Sequence, residues 1–120
     1  MIISKTPYRI SFFGGGSDYP SWYENYEGRV ISTTINKYLY ISSRYLPSFF
    51  KHKYRIAWSR IEETQTIGQI KHNAVRAILN YLKNKKGLEI HYDGDLPARS
   101  GMGSSSCFVV GLLKALYELQ

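Results

Sequence analysis

The hydrophobic period of this chain changes at Ile67, and that change constrains its architecture more than any other feature. Upstream the pattern is that of strands. Residues 8–13 have strand composition and are stopped by Gly14, Gly15 and Gly16. The next residues, Ser17-Asp18-Tyr19-Pro20, predict a helix start with Asp18 as N-cap and Pro20 in the first turn. Residues 29–44 are rich in β-branched and aromatic side chains. They hold no turn signal except Asn36-Lys37, and read as one bent strand or as two that pair. Residues 53–59 alternate Tyr54, Ile56 and Trp58 against Arg55, Ala57 and Ser59, again at strand period. From residue 67 to 83 the apolar positions Ile70, Ala74, Val75, Ile78, Leu79 and Leu82 fall on one helical stripe. Gly87 closes it after a basic run at 83–86 that suits the helix dipole. Residues 88–92 alternate once more, 93–103 form a Gly/Pro loop, and a last helix carries Phe108, Val109, Leu112, Leu113, Leu116 and Leu119. The order β-β-β-β-α-β-α predicts an α+β domain with a mixed or antiparallel sheet and helices on one side.

Composition narrows the class. With 43% hydrophobic, 15% aromatic and 21% charged residues, the chain is neither disordered nor collagen-like. Its longest nearly apolar run, residues 107–113, is too short to cross a bilayer, which needs about 20 residues. The first seven residues lack the basic-then-apolar order of a secretory signal. The single cysteine, Cys107, excludes an intrachain disulfide or a multi-cysteine zinc site. The expected compartment is the cytoplasm, with no membrane partner. The net charge of +7 favours an anionic partner, from nucleic acid to a phosphorylated small molecule. Its local clusters at 51–60 and 83–86 read more readily as a solvated face and a flexible loop than as a binding patch.

No internal repeat or linker divides the chain, so residues 1–120 form one unit. The last helix reaches Gln120 without a Gly, Asn or Pro stop, and its broad apolar surface needs a packing partner. The expectation is an incomplete domain that stops in or after this helix.

The most informative segment is Pro97-Ala-Arg-Ser-Gly-Met-Gly-Ser-Ser-Ser-Cys107. Gly101 and Gly103 permit positive φ and let backbone approach a ligand. Three serines then open a helix whose first N–H groups have no internal acceptor, which makes an anion site and most naturally a phosphate site. Their hydroxyls can bond phosphate oxygens or ligate magnesium. The spacing is that of neither a Walker A loop nor G-x-G-x-x-G, and no G-x-S-x-G elbow is present. A ligand-free Gly/Ser-rich helix cap is the structural alternative.

These residues resemble the P-x-x-x-G-[LM]-G-S-S-[AS] phosphate loop of the GHMP kinases, the superfamily of galactokinase, homoserine kinase and mevalonate kinase. A second stretch agrees: Arg9-Ile-Ser-Phe-Phe-Gly14-Gly-Gly-Ser-Asp18-Tyr19 resembles the N-terminal sugar-binding signature of the sugar-kinase branch. Galactokinases carry Glu-His where this chain has Gly15-Gly16, which argues against galactose. The triple glycine before Ser-Asp-Tyr-Pro is similar to the D-glycero-D-manno-heptose 7-phosphate kinases. So are Ile31-Ser-Thr-Thr-Ile-Asn-Lys-Tyr38 and Ile70-Lys-His-Asn-Ala-Val-Arg76.

The resemblance implies an N-terminal domain folded like the second domain of ribosomal protein S5, and ATP and Mg2+ as cofactors. It places the ATP phosphates against Pro97, Arg99, Ser100, Gly101, Met102, Gly103, Ser104, Ser105 and Ser106, with Ser105 as the magnesium ligand. It places a sugar or sugar phosphate against Arg9, Gly14, Gly15, Gly16, Ser17 and Asp18. Asp18 would accept hydrogen bonds from the sugar, and Arg9 would act catalytically by offsetting charge at the transferred phosphoryl. The implied reaction moves the γ-phosphoryl of ATP to the anomeric hydroxyl of a heptose 7-phosphate or related sugar. The family's acidic catalytic residue is expected beyond Gln120, so this chain alone is expected to be inactive.

Several residues keep two readings. Arg9 is also a plausible strand-edge residue, and Arg99 a solvated one. The adenine pocket falls by resemblance in residues 53–66, where Trp58 could stack on a base or sit in the core. His72 could bond phosphate or sugar, or be a partnered structural histidine. Cys107 reads as a small buried residue. The alternative function is a catalytically incomplete nucleotide- or RNA-binding module of the same fold. No RNA-specific motif accompanies the basic charge, which argues against nucleic acid.

Overall fold

A computed structural model describes residues 1–98 and 100–120. The chain opens with a long strand, β1 (Ile2–Phe13), then a 3-10 turn at Gly15–Asp18 and a one-turn helix, α1 (Pro20–Tyr23). Strands β2 (Ile31–Tyr45), β3 (Tyr54–Ala57) and β4 (Ile61–Thr64) follow. A 3-10 turn at Ile67–Gln69 leads to α2 (Asn73–Tyr81), then β5 (Leu88–Gly94) and α3 (Ser104–Leu119). The five strands form one mixed sheet in the order β1-β2-β5-β3-β4, with β3 parallel to β5 and the other neighbours antiparallel. The expected α+β class with a mixed sheet is borne out.

Strand alternation decides which face is covered. Leu39 and Ile41 of β2, Leu88 and Ile90 of β5, and Tyr54 and Ile56 of β3 are buried together with Val75, Ile78 and Leu79 of α2 and Phe108, Leu112 and Leu116 of α3. Their apolar area, removed from water on one side of the sheet, is the main favourable term in the fold. Intervening residues point to the opposite face. There Glu89 is clamped by Arg44, by Arg55 Nη1 at 2.5 Å and by His91 Nε2 at 3.0 Å. Burial pushes that carboxyl up, and the hydrogen bonds from His91, Arg44 and Arg55 more than reverse it, holding its pKa at about 2.

Several local expectations are corrected. Of the two readings of residues 29–44, the single bent strand is borne out, as Ile31–Tyr45, while the turn signal Asn36-Lys37 lies in a bulge, where Pro7 faces Tyr38 but Arg9 already faces Thr34. Asp18 is not an N-cap. It ends the 3-10 turn, and Tyr19 caps α1 with Pro20 at its first position. The helical stripe from 67 to 83 is split, because a capping box between Thr66 and Gln69 closes a 3-10 turn before His72 caps the shorter α2. Gly87 does not end α2, since Lys83 takes the left-handed conformation instead, at φ 49°. Gly87 serves the crossing of two loops, where an added Cβ would stand 2.8 Å from the Lys53 carbonyl oxygen. β4 was not expected from the sequence.

Candidate phosphate-binding site

The glycine–serine segment sits where the chain leaves the sheet for α3. Gly103 caps α3 in the left-handed conformation at φ 73°, and among the described residues no side chain caps the helix. The first bond into the helix runs from Cys107 N to Gly103 O at 3.0 Å. The N–H groups of Ser104, Ser105 and Ser106 therefore have no acceptor among the described residues and stand at the positive end of a 16-residue helix. Gly101 also has positive φ, at 75°, and a Cβ there would meet no atom within 4 Å, so its backbone is open to a ligand.

Strand β1 holds this turn in place. Arg9 N donates to Met102 O at 3.1 Å, and Cys107 Sγ donates to Pro7 O at 3.1 Å. The Arg9 side chain lies along Gly103, with its Cγ 3.0 Å and Nε 3.2 Å from where a Cβ would be. Arg9 is thus brought to the glycine–serine turn itself rather than left on a strand edge. Cys107 is 5% exposed, and burial pushes its thiol up against the pull of the Arg9 charge, so it is an inert packing residue. The approach loop is tied down as well. Tyr38 N donates to Asp95 Oδ2 at 2.7 Å, Asp95 N donates to Tyr38 O at 2.9 Å, and Tyr8 OH donates to Leu96 O at 3.3 Å. Among the described residues the buried Ser100 hydroxyl has no hydrogen-bond partner. Pro97 and Met102 flank the turn, and Arg99 lies outside the described residues.

Beside the turn is a cavity of about 220 Å³, walled by Trp58, His72, Tyr92 and Phe108 and reaching Ser104 and Ser105. His72 stacks on Phe108 with ring centroids 4.8 Å apart, and Trp58 meets His72 edge-on at 4.9 Å. Val75 N donates to His72 Nδ1 at 3.4 Å, so the imidazole caps α2. Burial holds the His72 pKa below its ordinary value, against the opposing charge of Glu62. Trp58 and His72, which the sequence left between core and ligand, line one cavity that opens on the serines. Sequence reading missed Phe108 and Tyr92 as walls, because both fit equally well as core positions of their elements.

The glycines at 14–16 are elsewhere. Gly14 has φ 87° and packs so closely on Arg29 that a Cβ would come within 1.8 Å of its carbonyl oxygen. Ser17 Oγ donates to Gly14 O at 2.7 Å and accepts from Arg29 N at 3.1 Å, which closes the outer end of the β1–β2 arm. Gly15, Gly16 and Asp18 are exposed there. Phe13 lies four residues along β1 from Arg9, roughly 13 Å at strand rise. Among the described residues no hydrogen bond joins this turn to residues 101–106.

The chain that carries this turn is similar in sequence and in fold to known proteins. Residues 69–120 match the N-terminal domain of the GHMP kinases. The resemblance read from Pro97 to Ser106 is borne out. The chain is 28% identical over 126 residues to the D-glycero-alpha-D-manno-heptose 7-phosphate kinase of Campylobacter jejuni subsp. jejuni serotype O:2, covering 98% of this chain and 37% of that protein. The crystal structure of a D-glycero-D-manno-heptose 1-phosphate kinase from Bacteriodes thetaiotaomicron superposes with a TM-score of 0.80 at 27% identity, covering 98% of this chain and 42% of that one. Methanococcus jannaschii mevalonate kinase shares the fold, with a TM-score of 0.68 at 22% identity over 99% of this chain and 41% of that one. The chain spans about two-fifths of the length of these relatives. Among the described residues no helix is long and apolar enough to cross a membrane.

Proposed function

We propose that this chain supplies the nucleotide-phosphate turn and part of the acceptor site of an ATP-dependent sugar kinase acting in the cytoplasm. The observation that carries the reading is the start of α3, where three serine N–H groups without an acceptor among the described residues follow Gly103, against which the Arg9 side chain lies. Unpaired N–H donors at a helix N-terminus suit the phosphate oxygens of ATP. Ser100, with its unpartnered hydroxyl, and Gly101, with its open backbone, extend the same cradle. The aromatic cavity beside Ser104 has walls suited to a flat base, which makes Trp58 and His72 base-side residues.

Mg2+ fits this donor set. Ser105 is exposed in the first turn of α3 and offers a hard oxygen, while no cluster of three acidic, histidine or cysteine side chains is present among the described residues to build a separate metal cage. When bound, the ion would neutralise phosphate charge. Arg9 would offset charge on the γ-phosphoryl as the anomeric hydroxyl of the sugar attacks phosphorus and ADP departs. Gly14, Gly15, Gly16, Ser17 and Asp18 would approach the acceptor, with Asp18 accepting from sugar hydroxyls. Two of the named relatives are heptose phosphate kinases, one of them a heptose 7-phosphate kinase, and a heptose 7-phosphate is the acceptor we assign.

A thermal melt with and without MgATP, repeated without magnesium, tests the reading. At 100 times its Kd a ligand adds about 2.7 kcal/mol, several degrees in a domain of this size. A magnesium-dependent rise is expected. A cooperative melt that MgATP does not move would sink the proposal. A second reading, a non-catalytic nucleotide or RNA binder, draws on the +7 charge. It predicts binding that weakens steeply with salt and ignores magnesium.

A further inference from the structure

Two glutamates are buried in this fold, and the kinase reading uses neither. Glu89 is accounted for by the arginines of the open sheet face. Glu62, on β4, is 7% exposed and lies on the helix side, where an apolar residue would satisfy packing alone. A buried carboxylate is costly unless its oxygens are paired. Here they are divided between two donors. Trp58 Nε1 donates to Oε1 at 2.9 Å, and the backbone N–H of Lys71 donates to Oε2 at 2.5 Å. Trp58 follows β3, and Lys71 immediately precedes His72, the N-cap of α2. One carboxylate therefore fixes both aromatic residues on that side of the cavity beside Ser104, and the two rings meet edge-on at 4.9 Å.

We propose that Glu62 is a positioning residue for nucleotide binding: it sets the orientation of the Trp58 indole and the start of α2, and so the shape of the cavity that receives a purine base. This rests on the reading of that cavity as the base site. Stacking on a flat base depends on ring orientation, and an indole that has lost its acceptor is free to turn. The Arg60 guanidinium, 4.7 Å over the Trp58 ring, keeps hold of that ring only while it stays in place.

The test uses Trp22→Phe as parent, which leaves Trp58 as the sole tryptophan of the chain. MgADP is titrated by Trp58 fluorescence and by calorimetry. The parent should bind with a change in emission. Adding Glu62→Gln, whose amide can accept from only one of the two donors, should red-shift Trp58 emission. It should also raise the Kd about tenfold, the worth of one well-made hydrogen bond, while the melt stays cooperative. A shifted emission with unchanged Kd overturns the proposal. Calorimetric binding by the parent without any change at Trp58 overturns it too, and leaves the phosphate turn standing. No binding by the parent removes the base-site reading itself. If Glu62→Gln fails to fold, Trp58→Phe in the chain with Trp22 intact removes the N–H donor and keeps a flat ring. It should lose a similar factor by calorimetry, and an unchanged Kd again overturns the proposal.

Discussion

Arg9 and Gly103 are in contact across the joint between β1 and α3: the arginine's Cγ lies 3.0 Å from the place of a glycine Cβ, and its backbone N–H donates to Met102 O at 3.1 Å. Gly103→Ala would force the guanidinium aside and also strain a backbone at φ 73°. Gly101→Ala strains φ alike, at 75°, but meets no protein atom. Both should lower stability by about 1–2 kcal/mol. Gly103→Ala should in addition displace Arg9 and abolish most of the MgATP-dependent rise in melting temperature. A Gly103→Ala chain that keeps the full rise would show that the Arg9–Gly103 contact is irrelevant to nucleotide binding.

His72 gives the fold an acid sensitivity with a definite sign. Burial depresses its folded pKa below the ordinary value, so between those two pKa values the unfolded chain binds the proton more readily. Its contribution to stability is complete above pH 6.5 and is lost as pH falls through the folded pKa. Protonation also removes the Nδ1 acceptor that caps Val75 N–H. His72→Asn keeps a capping oxygen and does not titrate. The melting temperature of that variant should fall less than the wild type's between pH 6.5 and 5; equal slopes would count against the assignment.

The glycine–serine turn was legible in the sequence because its conformation is local: Gly101, Gly103 and three serines ahead of an apolar helix require nothing from elsewhere in the chain. The helix stripe of Val75, Ile78 and Leu79 was legible for the same reason. What was not legible depends on distant partners. β4 is a four-residue edge strand with Glu62 and Glu63 at its centre, against strand propensity, and Glu62 makes sense only once Trp58 and Lys71 converge on it. Asn36-Lys37 carries a turn signal, yet the long pairing of β1 with β2 absorbs it as a bulge. Gly87 resembles a helix stop, but Lys83 accepts the left-handed conformation and Gly87 is needed against Lys53.

Gly111 sets how closely α3 can lie on β1. A Cβ there would come 2.8 Å from Thr6 Oγ1 and 3.2 Å from Ser4 Oγ, and α3 carries the glycine–serine turn at its N-terminal end. Gly111→Ala should destabilise by about 1–3 kcal/mol through overpacking, despite alanine's better helix propensity. Adding Thr6→Ala removes the nearer obstacle and should recover part of the loss. Denaturant melts of the two single variants and the double give the coupling; strictly additive effects would mean that the contact does not limit the approach of the helix.

Glu89 gives the fold a second acid sensitivity, set by a carboxylate rather than an imidazole. Burial alone would raise its carboxyl, but the hydrogen bonds from His91, Arg44 and Arg55 bring the folded value down to about 2, against 4.5 for the free side chain. A depressed carboxylate pKa stabilises the fold above the unfolded value and loses that contribution as pH falls toward the folded one. The window is therefore from about 4.5 down to 2. With the side chain 7% exposed, the contribution at neutral pH is on the order of 3 kcal/mol. Glu89→Gln should melt below the wild type at pH 7, and the gap should close as the pH is taken through that window. A gap that stays constant down to pH 2 would mean that the charge on Glu89 does not hold the open face together.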